Sequence, residues 1–261
     1  MRLSAGCEMV LEIDQPGPIS LVLMLRPSSS ALQWVSEERH ALSPMVTVLE
    51  YLDNFGNICQ RMQAPAGRFS IATQVTVETA ATLEVAPGTP LDLVSALPDK
   101  TLQYLLPSRY CQSDLVGERA REITQGCKMG YDQAEAIRAW IQGNIEYCYN
   151  SSDASTSALE TLRDRKGVCR DFAHLGIALC RSLTMPARMV VGYLHELVPM
   201  DLHAWFEVFV GGRWFTFDAT QEQPRGGRIV IAYGRDAADV AMLTQFGAST
   251  LTEMGVWVKE A

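Results

Sequence analysis

The sequence predicts an α+β protein: an N-terminal β-sandwich over residues 1–108, then a second unit over residues 109–261 in which helices precede an antiparallel sheet. Three observations predict it. Short alternating segments with turn signals between them fill the first hundred residues. Apolar residues then recur at helical spacing from about Asp132 to Leu183. Alternation returns from Arg188 onward, and helices followed by strands are the α+β pattern.

In the first unit, Cys7, Met9, Leu11 and Ile13 alternate with Glu8, Val10, Glu12 and Asp14, the period of a half-buried strand. Pro16-Gly17-Pro18 breaks it, and Ile19 to Leu25 reads as a more fully buried strand. Met45–Leu52 and Ile58–Met62 flank Asp53-Asn54-Phe55-Gly56-Asn57, a hairpin connection, and Phe69, Ile71, Val75 and Val77 continue the alternation. Pro87-Gly88-Thr89-Pro90 and Leu97-Pro98-Asp99 punctuate a connector.

In the second unit, Ser113 is placed to cap a helix running to about Gln125. A helix from Asp132 to about Tyr147 carries Ala136, Ile137, Trp140, Ile141 and Ile145 on one stripe, and Ser157 opens a short helix to Arg163. The next helix begins at Cys169. Phe172, Leu175, Gly176, Leu179 and Leu183 fall on its apolar face, with Arg170, Asp171, His174 and Arg181 on the polar side. Strands are expected at Arg188–Leu194, His203–Val210, Arg213–Asp218, Ile229–Tyr233 and Gly255–Lys259.

The totals exclude several classes. The chain has 261 residues, 48% of them hydrophobic and 20% charged, with a net charge of -8. No basic run offers a phosphate-binding surface, so nucleic acid is not an expected partner. The longest apolar run, Ile19–Leu25, is too short to cross a bilayer, so no membrane partner is expected. Glu8 and Glu12 stand where a secretory leader needs an apolar centre, which points to the cytoplasm. Seven scattered cysteines form no CxxC and no zinc spacing, so reduced thiols are expected, with no metal and no cofactor.

Two stretches suggest chemistry. Cys169 opens its helix, where unpaired N–H groups and the helix dipole favour a thiolate and can hold an oxyanion. The second is His203-Ala204-Trp205-Phe206-Glu207-Val208-Phe209-Val210-Gly211-Gly212-Arg213-Trp214-Phe215-Thr216-Phe217-Asp218. A tight turn on Gly211-Gly212 sets Val210 opposite Arg213 and puts His203 and Asp218 on one face, their Cβ atoms about 6–7 Å apart. Asp218 is then the carboxylate placed to orient the ring, with Asp201 and Glu207 as alternatives. Cys169, His203 and Asp218 supply the nucleophile, base and orienting acid of thiol acyl chemistry. Tyr147 and Tyr149 are candidate oxyanion donors. Trp205 and Trp214 are candidate pocket residues or, for at least one of them, core. His174 is read as a polar-face helix residue.

These residues resemble the transglutaminase-like superfamily, in its bacterial branch of cysteine-protease-like proteins. The likeness is carried by Arg165-Lys166-Gly167-Val168-Cys169-Arg170-Asp171-Phe172-Ala173, by Met185-Pro186-Ala187-Arg188 with Gly192-Tyr193, and by His203-Ala204-Trp205-Phe206-Glu207-Val208. Trp214-Phe215-Thr216-Phe217-Asp218-Ala219-Thr220 and Gly234-Arg235-Asp236-Ala237-Ala238-Asp239-Val240 complete it. The N-terminal β-region is similar to the domain preceding the core in that branch. The resemblance implies a papain-like transglutaminase core with Cys169 as nucleophile, His203 as base and Asp218 as its partner. Ala219 departs from the proline usual after the aspartate. The activity expected is hydrolysis of a peptide or amide through an acyl-enzyme on Cys169, acting on a peptide or protein substrate. Acyl transfer to an amine, or an inactive core serving as a peptide-binding scaffold, are the alternatives.

Overall fold

The structure, a computed structural model, describes all residues 1–261. Six strands come first: β1 Arg2–Ile13, β2 Ile19–Arg26, β3 Gln33–Ser43, β4 Val48–Leu52, β5 Ile58–Ala64 and β6 Gly67–Thr79. A connector with one helical turn, α1 Asp99–Leu102, leads to α2 Gly117–Ile123 and α3 Tyr131–Asn144. The short strands β7 Glu146–Tyr147 and β8 Lys166–Gly167 bracket α4 Ala158–Asp164, and α5 spans Cys169–Ser182. Then come β9 Ala187–Leu194, β10 His203–Val210, β11 Arg213–Phe217, β12 Arg228–Gly234, β13 Leu243–Phe246 and β14 Thr250–Glu260.

The N-terminal strands form two four-stranded antiparallel sheets, ordered β14-β1-β6-β3 and β13-β2-β5-β4. Their inward residues, among them Leu3, Met9, Leu11, Leu21, Leu23, Phe69 and Ile71, join one apolar cluster. The last strands differ from the sequence reading, which leaves residues 109–261 as one unit. β13 lies on the edge beside β2, and β14 runs beside β1 from Leu3↔Glu260 to Glu12↔Thr250. Alternation revealed a strand near Gly255–Lys259, but nothing local says which sheet a strand completes. β3 escaped notice because it is an edge strand with a largely polar, exposed pattern.

The middle of the chain builds the sheet β11-β10-β9-β12, with α5 laid across it. Ala204, Phe206 and Val208 of β10 are buried, and a Cβ built on Gly176 would stand 2.5 Å from the Phe206 ring. That glycine lets helix and strand approach. The polar side expected for α5 is also buried, because α2, α3 and α4 pack around it. Most of the polar groups there find partners, the exception being His174 Nδ1. Arg181 gives its guanidinium to the Ala187, Leu106 and Arg235 carbonyls and to the Ser108 hydroxyl. His174 accepts from the Ala237 N–H at 3.1 Å and stacks on Tyr110 with ring centroids 5.0 Å apart. Burial pushes its imidazole down to about 3, so it is a neutral packing element rather than a surface residue. Asp236 closes the same junction by accepting from the Tyr110 and Ala238 N–H groups.

Gly176→Val forces a branched side chain into the Phe206 ring. It is expected to destabilise the protein by about 1–3 kcal/mol, read as a lower midpoint in urea.

Candidate active site

Cys169 is presented by a short device of backbone pairing and capping. β7 and β8 run parallel, Tyr147 beside Gly167, with the Cys148 N–H on the Gly167 carbonyl at 2.9 Å. Arg165 reverses the chain after α4 with φ 57°. Asp171, two residues into α5 and fully buried, accepts from the Val168 N–H at 2.9 Å and from the Ser152 hydroxyl at 2.5 Å. This carboxylate stays at the positive end of the helix and ties down the first turn that carries the thiol. Gly167 is required beside it, since an added Cβ would lie 2.7 Å from the Asp171 Cβ. Asp171 is thus a support for the loop that carries Cys169. Cys169 itself is half-buried.

His203 opens β10. The hairpin register runs Val210↔Arg213 to Phe206↔Phe217 without a bulge, and Gly211 and Gly212 take φ 59° and 80° at the turn. Parity is therefore preserved, and His203 Nε2 meets Asp218 Oδ2 at 2.7 Å. Neither Asp201 nor Glu207 takes that place. Asp201 bonds the Leu202 N–H, and Glu207 is paired with Arg188 at 2.8 Å. With Nε2 engaged by Asp218, Nδ1 is the nitrogen left over, and Cys169 lies near enough to raise the proton affinity of the ring.

Both side chains are buried, and burial shapes their charge. Burial lowers the proton affinity of the imidazole, but Asp218 and then Cys169 outweigh it, so the ring titrates at about 9 against an ordinary 6.5. Burial would raise the Asp218 carboxyl; His203 and Arg228 instead hold it well below the usual carboxylate range. Thr220 gives its N–H and hydroxyl to Asp218 Oδ1 at 3.0 and 2.7 Å. These bonds close the turn after Asp218 in which Ala219 stands, itself buried.

Tyr147 and Tyr149 line a cleft of about 110 Å³ in front of His203, with Leu197, Val198, Asp201, Leu202, Thr220 and Gln221. Tyr147 pairs with Gly167, close enough to Cys169 for that residue to act on its phenol, and its ring leans on Phe172 at 5.7 Å. Burial and the neighbouring Cys169 raise the phenol, so it stays a protonated donor. Trp205 and Trp214 do not line this cleft, a correction to their listing as pocket candidates. Trp205 is 1% exposed, its ring 6.1 Å from that of His203. Trp214 pairs across from Phe209 at the far end of β10 and lines a separate groove of about 630 Å³ with Arg188, Tyr104 and Phe55. Sequence reasoning missed Arg228 and the bonds that Thr220 gives to Asp218, whereas Asp171 makes the local structural contacts expected of it. No pattern marks Arg228, because an arginine after Gly226-Gly227 reads as loop surface. No three His, Cys, Asp or Glu side chains converge to hold a metal ion, and no helix is long and apolar enough to cross a membrane.

Comparison with known proteins follows the same lines. Residues 117–219 match the model of the transglutaminase-like superfamily. The crystal structure of a candidate cysteine protease from Cytophaga hutchinsonii is 35% identical and superposes with a TM-score of 0.90, covering 99% of this chain and 90% of that one. An uncharacterised protein of Mycobacterium leprae is 29% identical over 236 residues, 84% of this chain and 83% of its own. One from Mycobacterium tuberculosis is 37% identical over 118 residues, 40% of this chain and 38% of its own.

The folded-state proton affinity of His203 lies above that of an unfolded histidine. Its contribution to stability is therefore complete below about pH 6.5 and is lost as pH rises through about 9. Urea unfolding across that window should show stability falling with pH, and His203→Gln should flatten the fall.

Proposed function

This chain belongs to the transglutaminase-like superfamily, and we propose that within it the protein is a cysteine-protease-like amide hydrolase working through an acyl-enzyme on Cys169. The observation that carries the reading is the buried His203–Asp218 pair at 2.7 Å with Cys169 as the ring's other neighbour. In the first step the Cys169 sulfur attacks the amide carbonyl carbon, and the Cys169 N–H and the Tyr147 hydroxyl stabilise the oxyanion. The carbon–nitrogen bond breaks as His203 passes its proton to the leaving amine. Water then attacks the thioester, His203 accepts its proton, and the thiolate departs with the acid product released. Asp218 holds the ring and its charge throughout.

The substrate class is a peptide or protein. The cleft supports this with apolar contacts from Leu197, Val198 and Leu202, flanked by the two tyrosines. Hydrolysis is favoured over transfer because water needs no second site. The seven free cysteines support a reducing, cytoplasmic setting.

A peptide library incubated with the wild-type protein should be cleaved. Cys169→Ala and His203→Ala should each lose at least about 10³-fold in turnover while keeping the wild-type unfolding transition. Cleavage retained in either folded variant overturns the reading. Peptides bound but not consumed would identify a scaffold, and conjugates formed with an added primary amine would identify a transferase.

A further inference from the structure

His203 is not the sole partner of Asp218. Arg228, the first residue of β12 and 6% exposed, gives Nη2 to Asp218 Oδ2 at 2.8 Å, the same oxygen that His203 Nε2 meets at 2.7 Å. Oδ1 is already taken by Thr220. The guanidinium also lies 4.8 Å over the Trp205 ring, the indole that neighbours His203. Imidazole and guanidinium thus share one carboxylate oxygen and one aromatic platform.

The position of Arg228 is set from outside the catalytic segment. Its carbonyl accepts from the Thr79 hydroxyl at 2.8 Å, and the preceding Gly227 N–H reaches the Ala80 carbonyl at 2.9 Å. Farther along β12, the Gln33 amide makes two bonds with the Val230 backbone, at 2.9 and 2.7 Å. The Asn57 amide does the same with Tyr233, at 2.7 and 2.8 Å. These two buried side chains complete an edge of the catalytic sheet that no strand covers.

Resting on the Cys169–His203 reading above, we infer that Arg228 is a positioning residue that divides the charge of Asp218 with His203, and that the N-terminal strands set this division by fixing the register of β12. A carboxylate oxygen that accepts two charge-assisted bonds binds each donor less firmly than it would bind one. A second cation in the same buried site also opposes charge on the ring. Arg228 therefore keeps Asp218 ionised and in place while making the imidazolium readier to release its proton. The other titratable groups facing His203 are Cys169 from α5, Tyr147 and Tyr149 across the cleft, and Asp201 from the loop before β10. Glu135 and Arg138 of α3 line the cavity behind Asp218 and Arg228 but are paired with each other at 2.7 Å.

The test is a histidine-ring NMR titration of the full chain, with His203 assigned by its loss in His203→Gln, alongside the pH profile of Cys169 alkylation by iodoacetamide. In Arg228→Met the His203 midpoint should rise by about half a pH unit or more, roughly a threefold gain in proton affinity. The upper limb of the alkylation profile should move with it, and Arg228→Lys should restore both. Thr79→Val, which removes only the bond holding the Arg228 carbonyl, should move the midpoint the same way by less; it carries the test if Arg228→Met does not fold. A midpoint unmoved or lowered in the folded variants overturns the inference. The titration needs no substrate. An unmoved midpoint in a protein that cleaves peptides therefore refutes this inference alone, whereas a shifted midpoint without turnover refutes the hydrolase reading alone.

Discussion

The structure around the thiol depends on one buried carboxylate. Asp218 receives four donors, from His203, Arg228 and twice from Thr220, and it is almost wholly withdrawn from solvent. An ionised carboxylate in such a place is tolerable only when fully paired and hydrogen-bonded. The donors come from three pieces of backbone: the start of β10, the turn after β11 and the start of β12. The hairpin register, the closing turn and the β12 edge of the sheet must all be in place before the charge is satisfied. Tertiary order and the electrostatics of the site are thus the same requirement seen twice.

On the other side of the cleft, the thiol is held with less burial and more backbone. The parallel pairing of β7 with β8, the left-handed Arg165 and the capping Asp171 form a rigid seat for the first turn of α5. Tyr147 belongs to that seat through its pairing with Gly167, so its phenol is carried by the same element that holds Cys169. The segments that carry the imidazole and the thiol are thus built independently of each other.

What could be read from residues alone follows the range of the forces involved. The start of α5 at Cys169 and the parity joining His203 to Asp218 are local. Helical spacing fixes the first, and two adjacent glycines with an uninterrupted alternation fix the second. Arg228 was out of reach because its partners, Asp218, Thr79 and Arg225, become neighbours only after three separate segments assemble. The same holds for Arg181 and His174, whose polarity suggested solvent. They are buried because carbonyls and an N–H from distant loops are there to receive them. Trp205 takes the core alternative left open for at least one of the two tryptophans: it is the floor under His203 and Arg228.

The return of β14 to lie along β1 has a consequence for how the molecule is made. The sheet that begins with the first strand receives its other edge only from residues 250–260. During synthesis, β1 must wait, paired with β6 on one side only, while the whole segment containing Cys169, His203 and Asp218 is translated. Gln33, which opens β3, and Asn57, in the turn before β5, brace β12 from this same unfinished unit. A nascent chain therefore carries the thiol well before the scaffold that braces Arg228 is complete, and full assembly of the site belongs to the finished polypeptide rather than to the growing one.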